Sequence, residues 1–189
     1  MFCPDYQNLT DEELAYLVNQ GEHSAFAVLV KRHSTKFYAV AFRMLRTREQ
    51  AEDIVQDCFL KFWQNPSNWN SKKGVKFTTW FYRVVINKCY DALKKSKELR
   101  LDENFDIEDE TKNAEKMIDE EKRDRILNNA FLVLSKKQKT AIALSFIEGA
   151  KNQESAEIMG LSLKGFQSLL MRSKVALKEK FLQSGGIYG

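Results

Sequence analysis

Four side chains near the middle of the sequence have the chemistry of a nucleic-acid contact. They recur every three or four residues and would share one face of an α-helix: Arg83, Asn87, Tyr90 and Lys94. The cations can hold phosphates, the amide can pair with a base edge, and the aromatic ring can stack on a base. The opposite face is apolar and carries Phe81, Val85, Cys89 and Ala92. We therefore expect one face to pack and the other to be free for unpaired DNA bases.

A second candidate surface surrounds a glycine turn near the C-terminus. Residues 153–174 predict a helix, a tight turn at Gly160, and a second helix with Ser162 as its N-cap. Three apolar residues of the second helix have core spacing: Leu163, Phe166 and Leu170. Its other side chains would face a DNA major groove: Lys164, Gln167, Ser168, Met171, Arg172 and Lys174.

Helices must position both surfaces, because only two prolines interrupt the chain and apolar residues recur at helical spacing. Helical patterns cover residues 24–45, with a break near 33–35, and residues 77–97, after a polar loop at 67–76. Three capping boxes would begin helices: Thr10 with Glu13, Thr47 with Gln50, and Ser135 with Gln138. No strand pair is evident, so the sequence predicts an all-α fold.

Charge divides the chain into three parts. Residues 1–97 carry a net charge of +5, residues 98–121 of −8 and residues 122–189 of +7. This asymmetry is expected when the folded parts of a protein meet a polyanion and its linker does not. Residues 98–121 have too few apolar side chains to form a core, which predicts a largely extended tether. We expect a four-helix N-terminal domain, a flexible acidic linker and a C-terminal helix-turn-helix domain.

Composition excludes several other classes of protein. Cys3, Cys58 and Cys89 lie far apart, and His23 and His33 lack further ligands, so we expect no metal and no cofactor. The sequence has no glycine-rich phosphate loop and no nucleophile–histidine–carboxylate set, so we do not expect an enzyme. No apolar run is long enough to span a bilayer and no signal pattern begins the chain, which predicts a cytoplasmic protein without membrane insertion.

Three segments together resemble bacterial extracytoplasmic-function sigma factors, and the resemblance covers nearly the whole chain. They are AEDIVQDCFLKFW at 51–63, FTTWFYR at 77–83 and AEIMGLS at 156–162. The resemblance implies an alternative sigma factor that binds core RNA polymerase, directs it to promoters and begins strand opening. Two alternatives stay open: a helix-turn-helix regulator that works without polymerase, and a sigma mimic that binds polymerase without starting transcription.

The resemblance also implies roles for residues of the N-terminal domain. In the family, the segment like 51–63 docks on the clamp helices of the polymerase, which assigns core binding to Asp53, Gln56, Asp57, Lys61 and Trp63. The next loop and helix capture a flipped-out base of the minus-ten element on the melted non-template strand. The resemblance assigns this contact to six residues of the present sequence: Lys72, Lys73, Arg83, Asn87, Tyr90 and Lys94.

The family's second domain reads the duplex minus-thirty-five element with its recognition helix. The resemblance therefore assigns base contacts to Gln167, Ser168, Met171 and Arg172. It assigns phosphate contacts to Lys151, Asn152, Lys164 and Lys174. Gln167 and Leu169 stand where the family usually has basic residues, and Ser155 replaces an aliphatic one. These departures predict weak or unusual recognition of the minus-thirty-five element.

Two further expectations come from the resemblance. The acidic linker would thread through the polymerase near the path of nascent RNA. An anti-sigma factor is an expected partner, since such proteins hold many family members inactive, in some cases close to the inner membrane.

Overall fold

The computed structural model describes residues 6–70, 74–102, 126–127, 129–131, 133–146 and 151–184. Regular structure in these ranges is helical, which confirms the predicted all-α class. The N-terminal helices are α1 (Asp11–Asn19), α2 (His23–Leu45), α3 (Arg48–Gln64) and α4 (Phe77–Asp102). The C-terminal helices are α5 (Lys136–Ser145), α6 (Asn152–Met159) and α7 (Leu163–Gln183). Most of the predicted acidic tether, residues 103–121, lies outside the described ranges.

Helices α1 to α4 pack around a core of aromatic rings. Phe37 of α2 stacks on Phe81 of α4 with ring centroids 4.5 Å apart, and Phe59 of α3 lies 4.6 Å from Phe81. Phe62 and Phe77 extend the cluster, with centroids 5.1 Å apart. All five rings are buried. Because rings of this size dominate packing energy, the cluster fixes the orientation of α3 relative to α4.

Two of the three predicted capping boxes are confirmed. At α1 the Thr10 hydroxyl accepts from the amide of Glu13 at 3.2 Å, and the Glu13 carboxylate accepts from the amide of Thr10 at 2.8 Å. The hydrogen bond from the Thr10 amide lowers the pKa of Glu13. Ser135 and Gln138 make the same reciprocal pair at α5. Both helices therefore begin where the sequence predicts.

The third predicted capping box, Thr47 with Gln50, is wrong. Arg46 ends α2 in the left-handed region with a φ of 61°. The chain then turns directly into α3, and the Thr47 hydroxyl donates back to the Leu45 carbonyl at 3.5 Å. Thr47 makes no side-chain hydrogen bond to the start of α3.

Two predicted helix boundaries are also wrong. Helix α2 continues through residues 33–35 without the expected break. His33 stays in the helix because its ring contacts Asp11 of α1 and lies 5.6 Å from the ring of Phe37. Helix α4 continues to Asp102, beyond the predicted end at residue 97, so the acidic segment begins as helix.

Helices α5 to α7 contain the predicted helix-turn-helix. Gly160 ends α6 with a φ of 66°, a conformation in which a Cβ atom would be strained. The Ser162 hydroxyl then accepts from the amide of Gly165 at 3.1 Å and caps α7, as predicted. Phe166 is buried as expected, whereas Leu163 is 39% exposed. The core prediction for Leu163 is wrong because this first residue of α7 precedes the turns that pack.

A polar network joins α1 to α2. Asp11 accepts a hydrogen bond from Arg32 Nη1 at 2.9 Å and contacts His33 Nε2 at 2.8 Å. Arg32 also donates to the carbonyl of Gln7 at 2.7 Å. Burial alone would raise the pKa of Asp11, but its hydrogen bonds with His33 and Arg32 hold that pKa below the usual value. The folded state therefore favours the ionised form of this carboxyl.

We expect Asp11→Asn to lower the free energy of unfolding by about 1–2 kcal/mol at neutral pH, since a charged hydrogen-bond acceptor is lost. The difference from wild type should shrink as the pH falls through the ordinary carboxyl value of 3.8 and below it. Protonation then removes the same stabilisation from the wild type.

Urea unfolding at a series of pH values measures this difference. Asp53→Asn is the matched control, because Asp53 is exposed on α3. Indistinguishable pH profiles for the Asp11 and Asp53 variants would contradict the proposed network.

Candidate functional site

The polar face of α4 lies against the C-terminal helices. The Arg83 guanidinium donates to two carbonyls at the end of α6, from Nη2 to Glu157 at 2.7 Å and from Nε to Ile158 at 3.0 Å. Asn87 and Lys94 are exposed on the same face. The expectation of a free face is wrong at Arg83, because the carbonyls at the C-terminus of α6 attract a cation, although the Glu157 carbonyl also accepts from the amide of Gly160.

Tyr90 makes a second contact between the two parts of the chain. Its hydroxyl donates to the Lys136 carbonyl, 2.5 Å away, and contacts the hydroxyl of Thr140, both on α5. The Lys136 ammonium lies 5.0 Å from the centre of the Tyr90 ring, within cation–π range. Burial raises the pKa of Tyr90, so the phenol stays protonated and can donate. The expectation of a free face is therefore also wrong at Tyr90.

Apolar contacts accompany these hydrogen bonds. Ala143 and Leu144 of α5 and Ile158 of α6 are buried in the same cluster as the core of α1 to α4. The Arg43 guanidinium of α2 lies 5.0 Å from the centre of the Phe146 ring. The C-terminal helices also have small clusters of their own, one of them around Phe166. We call the contact made by Ala143, Leu144 and Ile158 the interdomain seam.

Two contacts that the sequence did not predict hold the segment before α4. Trp69 is buried, and its indole Nε1 donates to the carbonyl of Val75 at 3.2 Å. The Glu12 carboxylate of α1 accepts from the amide of Phe77 at 3.1 Å and so caps the start of α4. Spacing gives no signal for this cap, since the two residues are 65 positions apart. Two predicted DNA-binding residues of the loop lie outside the described ranges: Lys72 and Lys73.

The predicted core-binding face of α3 is a mixed charge cluster. The Asp57 carboxylate accepts from Lys61 Nζ at 2.7 Å and lies 3.7 Å from Lys88 Nζ of α4. The hydrogen bond to Asp57 raises the pKa of Lys61. Three other predicted residues share the helix, two of them exposed and the third half-buried: Asp53, Gln56 and Trp63.

An apolar groove of about 400 Å³ runs beside this face, between α2 and α3. Trp63 lines it and packs against His23, with ring centroids 4.4 Å apart and the rings tilted by 37°. Leu60 also lines the groove and is 53% exposed, although it is large and apolar. The sequence predicted a core-binding role for Gln56 and Trp63 but not for three other residues that line the groove: Leu60, Phe26 and Val30. The signal for Leu60 was available, since it lies outside the buried stripe of α3.

The predicted recognition helix α7 presents its polar side chains to solvent. Its predicted DNA-contacting residues are all exposed: Lys164, Gln167, Ser168, Met171, Arg172 and Lys174. Lys151 and Asn152 are exposed at the start of α6. The second predicted DNA surface is therefore open, whereas the first is engaged at Arg83 and Tyr90.

Known proteins match both halves of the chain. Residues 29–98 match the family model of sigma-70 region 2, and residues 124–177 match that of sigma-70 region 4. The chain is 30% identical over 141 residues to the RNA polymerase sigma factor SigV of Bacillus subtilis, which covers 75% of this chain and 81% of SigV. It is 26% identical over 186 residues to the ECF RNA polymerase sigma-E factor of Haemophilus influenzae, which covers 92% and 96% of the two chains. The chain belongs to the extracytoplasmic-function sigma factors.

The fold of this sigma factor agrees with that of a solved relative. The sigma factor RpoE of Bartonella quintana, solved in complex with the anti-sigma factor NepR, gives a TM-score of 0.59 at 22% identity. The match covers 83% of this chain and 96% of RpoE. This likeness shows the fold.

The sigma factor directs RNA polymerase to promoters, and its two sigma-70 regions bind the polymerase and promoter DNA. Region 2 spans most of α2, together with α3 and nearly all of α4, and region 4 includes α5, α6 and most of α7. In the described residues, no group of three or more histidine, cysteine or acidic side chains is placed to hold a metal ion. Across those same ranges, no helix is long and apolar enough to cross a membrane.

Proposed function

We propose that this sigma factor divides its work among three surfaces. The groove and charged face of α3 attach to core polymerase, α4 and its preceding loop capture the melted minus-ten strand, and α7 reads the minus-thirty-five duplex. The observation that carries the first of these assignments, the core-polymerase surface, is the exposure of a large apolar side chain, Leu60, beside a charged rim on α3. We divide the chain into residues 1–97, 98–121 and 122–189, with α4 extending to Asp102.

The α3 surface has the composition of a protein–protein interface. An exposed apolar patch rimmed by charge favours a partner that fills the groove with an apolar side chain. Leu60 and Trp63 supply the apolar area, and Asp53, Gln56, Asp57 and Lys61 fix orientation through hydrogen bonds. Because Lys61 and Lys88 hold Asp57 and partly neutralise it, an incoming cation would have to compete with these two lysines for the carboxylate.

The minus-ten contact is assigned to α4 and the loop that precedes it. Asn87 is exposed and can make paired hydrogen bonds with a base edge. Tyr90 offers a ring for stacking, a contact worth about 1–3 kcal/mol per base. The four cations of this surface would hold the strand's phosphates: Lys72, Lys73, Arg83 and Lys94. Glu12 and Trp69 position the loop and the start of α4 without touching DNA.

The minus-thirty-five contact is assigned to the exposed side of α7. Gln167, Ser168, Met171 and Arg172 would face bases, and Lys151, Asn152, Lys164 and Lys174 would hold phosphates. Gln167 and Leu169 carry no charge, whereas the family resemblance leads us to expect cations at these positions. This domain should therefore bind duplex DNA with a shallow salt dependence and rely on polymerase for affinity.

The remaining proposals concern the binding partners and the cellular location of the protein. RpoE of Bartonella quintana is solved with the anti-sigma factor NepR, and we infer an anti-sigma partner for this chain by the same relationship. The acidic residues 98–121 would occupy a nucleic-acid channel of the polymerase. The protein would act in the cytoplasm, where catalysis belongs to the polymerase and the sigma factor supplies no catalytic step.

Leu60→Asp should abolish binding to purified bacterial core polymerase, because a carboxylate cannot be buried in an apolar groove without a partner. Biolayer interferometry with immobilised core measures the affinity. Leu60→Met is the matched control, since it keeps an apolar side chain of similar volume and should bind like wild type. If the aspartate variant binds core polymerase with wild-type affinity, the groove is not part of the contact with core polymerase.

Asn87→Ala should retain core binding and lose strand opening. In-vitro transcription on a genomic promoter library, with permanganate footprinting of unpaired thymines, measures both initiation and opening. Asp91→Ala is the control, because Asp91 is exposed on α4 but has no assigned DNA contact. A wild-type protein that binds duplex DNA but starts nothing would instead be a helix-turn-helix regulator, and one that binds core but starts nothing would be a mimic.

A further inference from the structure

We propose that Met171 determines specificity for the minus-thirty-five element by contacting the C5-methyl group of a thymine in the major groove. Thymine is the only standard DNA base that presents a methyl group there. The proposal rests on the assignment of α7 to the minus-thirty-five duplex, and it names the chemical group that the helix reads.

Met171 is exposed to an extent that its chemistry does not favour. Among the described residues it is the most exposed large apolar side chain, at 67%. Val175, one turn further along α7, is 52% exposed. Single exposed apolar residues are common, but two neighbours on one side of a helix indicate a contact surface. The partner at this surface must therefore offer apolar groups.

Met171 also lies at the centre of the exposed face of α7. The buried residues Phe166 and Ser173 lie on the opposite side of the helix. A helix in the major groove brings the line opposite its core closest to the base edges. With about 3.6 residues per turn, the four side chains of this line fall within about 60° of one another: Lys164, Ser168, Met171 and Val175.

The two longer polar side chains assigned to bases lie on the flanks of this line. Gln167 and Arg172 are each about 70° from its centre, on opposite sides. Arg172 Nε donates to the Ser168 carbonyl at 3.3 Å, so part of the guanidinium is directed to its own helix. Met171, which lies between these flanks, therefore projects most directly towards the bases.

The uncharged Leu169 does not belong to this face. It is half-buried and packs against a cluster formed by Phe166, Ala141 and Ala156. Gln167, by contrast, is exposed, so it alone of the two uncharged residues changes the DNA-facing surface.

Charge favours DNA as the partner of this apolar line. The exposed charged residues of α7 are five cations and one anion: Lys164, Arg172, Lys174, Lys178, Lys180 and Glu179. Cations at the edges of a helix suit the phosphates that border the major groove. The apolar centre then faces the floor of the groove, where thymine methyl groups are the apolar partners.

Deoxyuridine gives a sharp test, because it pairs as thymine does and lacks only the C5-methyl group. The first probe is a duplex fragment with the minus-thirty-five element of a promoter on which the wild type and core polymerase start transcription. Each thymine of the element is replaced in turn, and the affinity of the holoenzyme is measured at one salt concentration. At one thymine at least, binding should weaken about fourfold, as expected when one methyl-sized group is no longer buried.

Three variants assign this preference to a side chain. Met171→Ala should bind the thymine and deoxyuridine fragments equally, whereas Met171→Leu keeps an apolar side chain of similar volume and should retain the preference. Leu182→Ala is the matched control, because Leu182 is 46% exposed on the same side of α7, about three turns further on. It should also retain the preference. Since both positions are exposed, circular dichroism should show a wild-type fold for all three variants.

A second probe separates this proposal from the sigma role. It is a duplex that the full-length chain selects from a random pool without polymerase, and its thymines are replaced in the same way. If the wild type starts no transcription, the sigma role is overturned, and this probe still tests Met171.

Several results would overturn the thymine contact. They are an unchanged wild-type affinity after every deoxyuridine substitution, a preference that Met171→Ala retains or that Leu182→Ala loses, and the absence of any enriched duplex with or without polymerase. Weaker binding of Met171→Ala to core polymerase without DNA would assign the side chain to a protein contact and would also overturn it.

Discussion

The aromatic core of α2, α3 and α4 is the constraint on which the functional surfaces depend. Phe81 contacts both Phe37 and Phe59, with centroids 4.5 and 4.6 Å away, so three helices share one packing centre. Burying these rings leaves each helix little rotational freedom. The groove beside α3 and the polar face of α4 therefore point in fixed directions. A change that loosened this cluster would alter the proposed polymerase-binding and DNA-binding surfaces together.

The second organising interaction is the contact between Arg83 and the end of α6. It joins a cation that we assign to the minus-ten strand to two carbonyls at a helix C-terminus, and the Glu157 carbonyl also accepts from the amide of Gly160. The donors that suit a guanidinium to phosphate also suit it to these carbonyls. The neighbouring Asn87 remains exposed.

Helical spacing predicted the architecture well because it reports local packing. The periodic apolar residues of α2 to α4 and the glycine turn before Ser162 gave the correct helices, and the capping signals at Thr10 and Ser135 gave correct helix starts. The Thr47 cap failed because the left-handed Arg46 sets the direction of the chain there. The break near 33–35 failed because a tertiary contact with Asp11 holds His33 in the helix.

The spacing of residues could not predict contacts between segments that lie far apart in the sequence. The cap from Glu12 to Phe77 and the bonds from Arg83 and Tyr90 to the C-terminal helices join residues far apart in sequence. A helical wheel places Arg83, Asn87 and Tyr90 on one face but cannot say what covers that face. Leu60 shows the opposite case, because its position off the buried stripe was a usable signal of an exposed apolar contact.

Fluorescence energy transfer between dyes on the two domains measures directly whether the domains pack together in solution. Tyr16→Cys and Leu182→Cys place dyes at exposed positions of α1 and α7, in a chain that also carries Cys3→Ser. Burial raises the pKa of Cys58 and Cys89 to about 12, so these thiols stay unlabelled. We expect high transfer in the free chain, because Arg83 and Tyr90 of α4 hold the C-terminal helices against the N-terminal domain. Low transfer in the free chain would contradict this packing of the two domains.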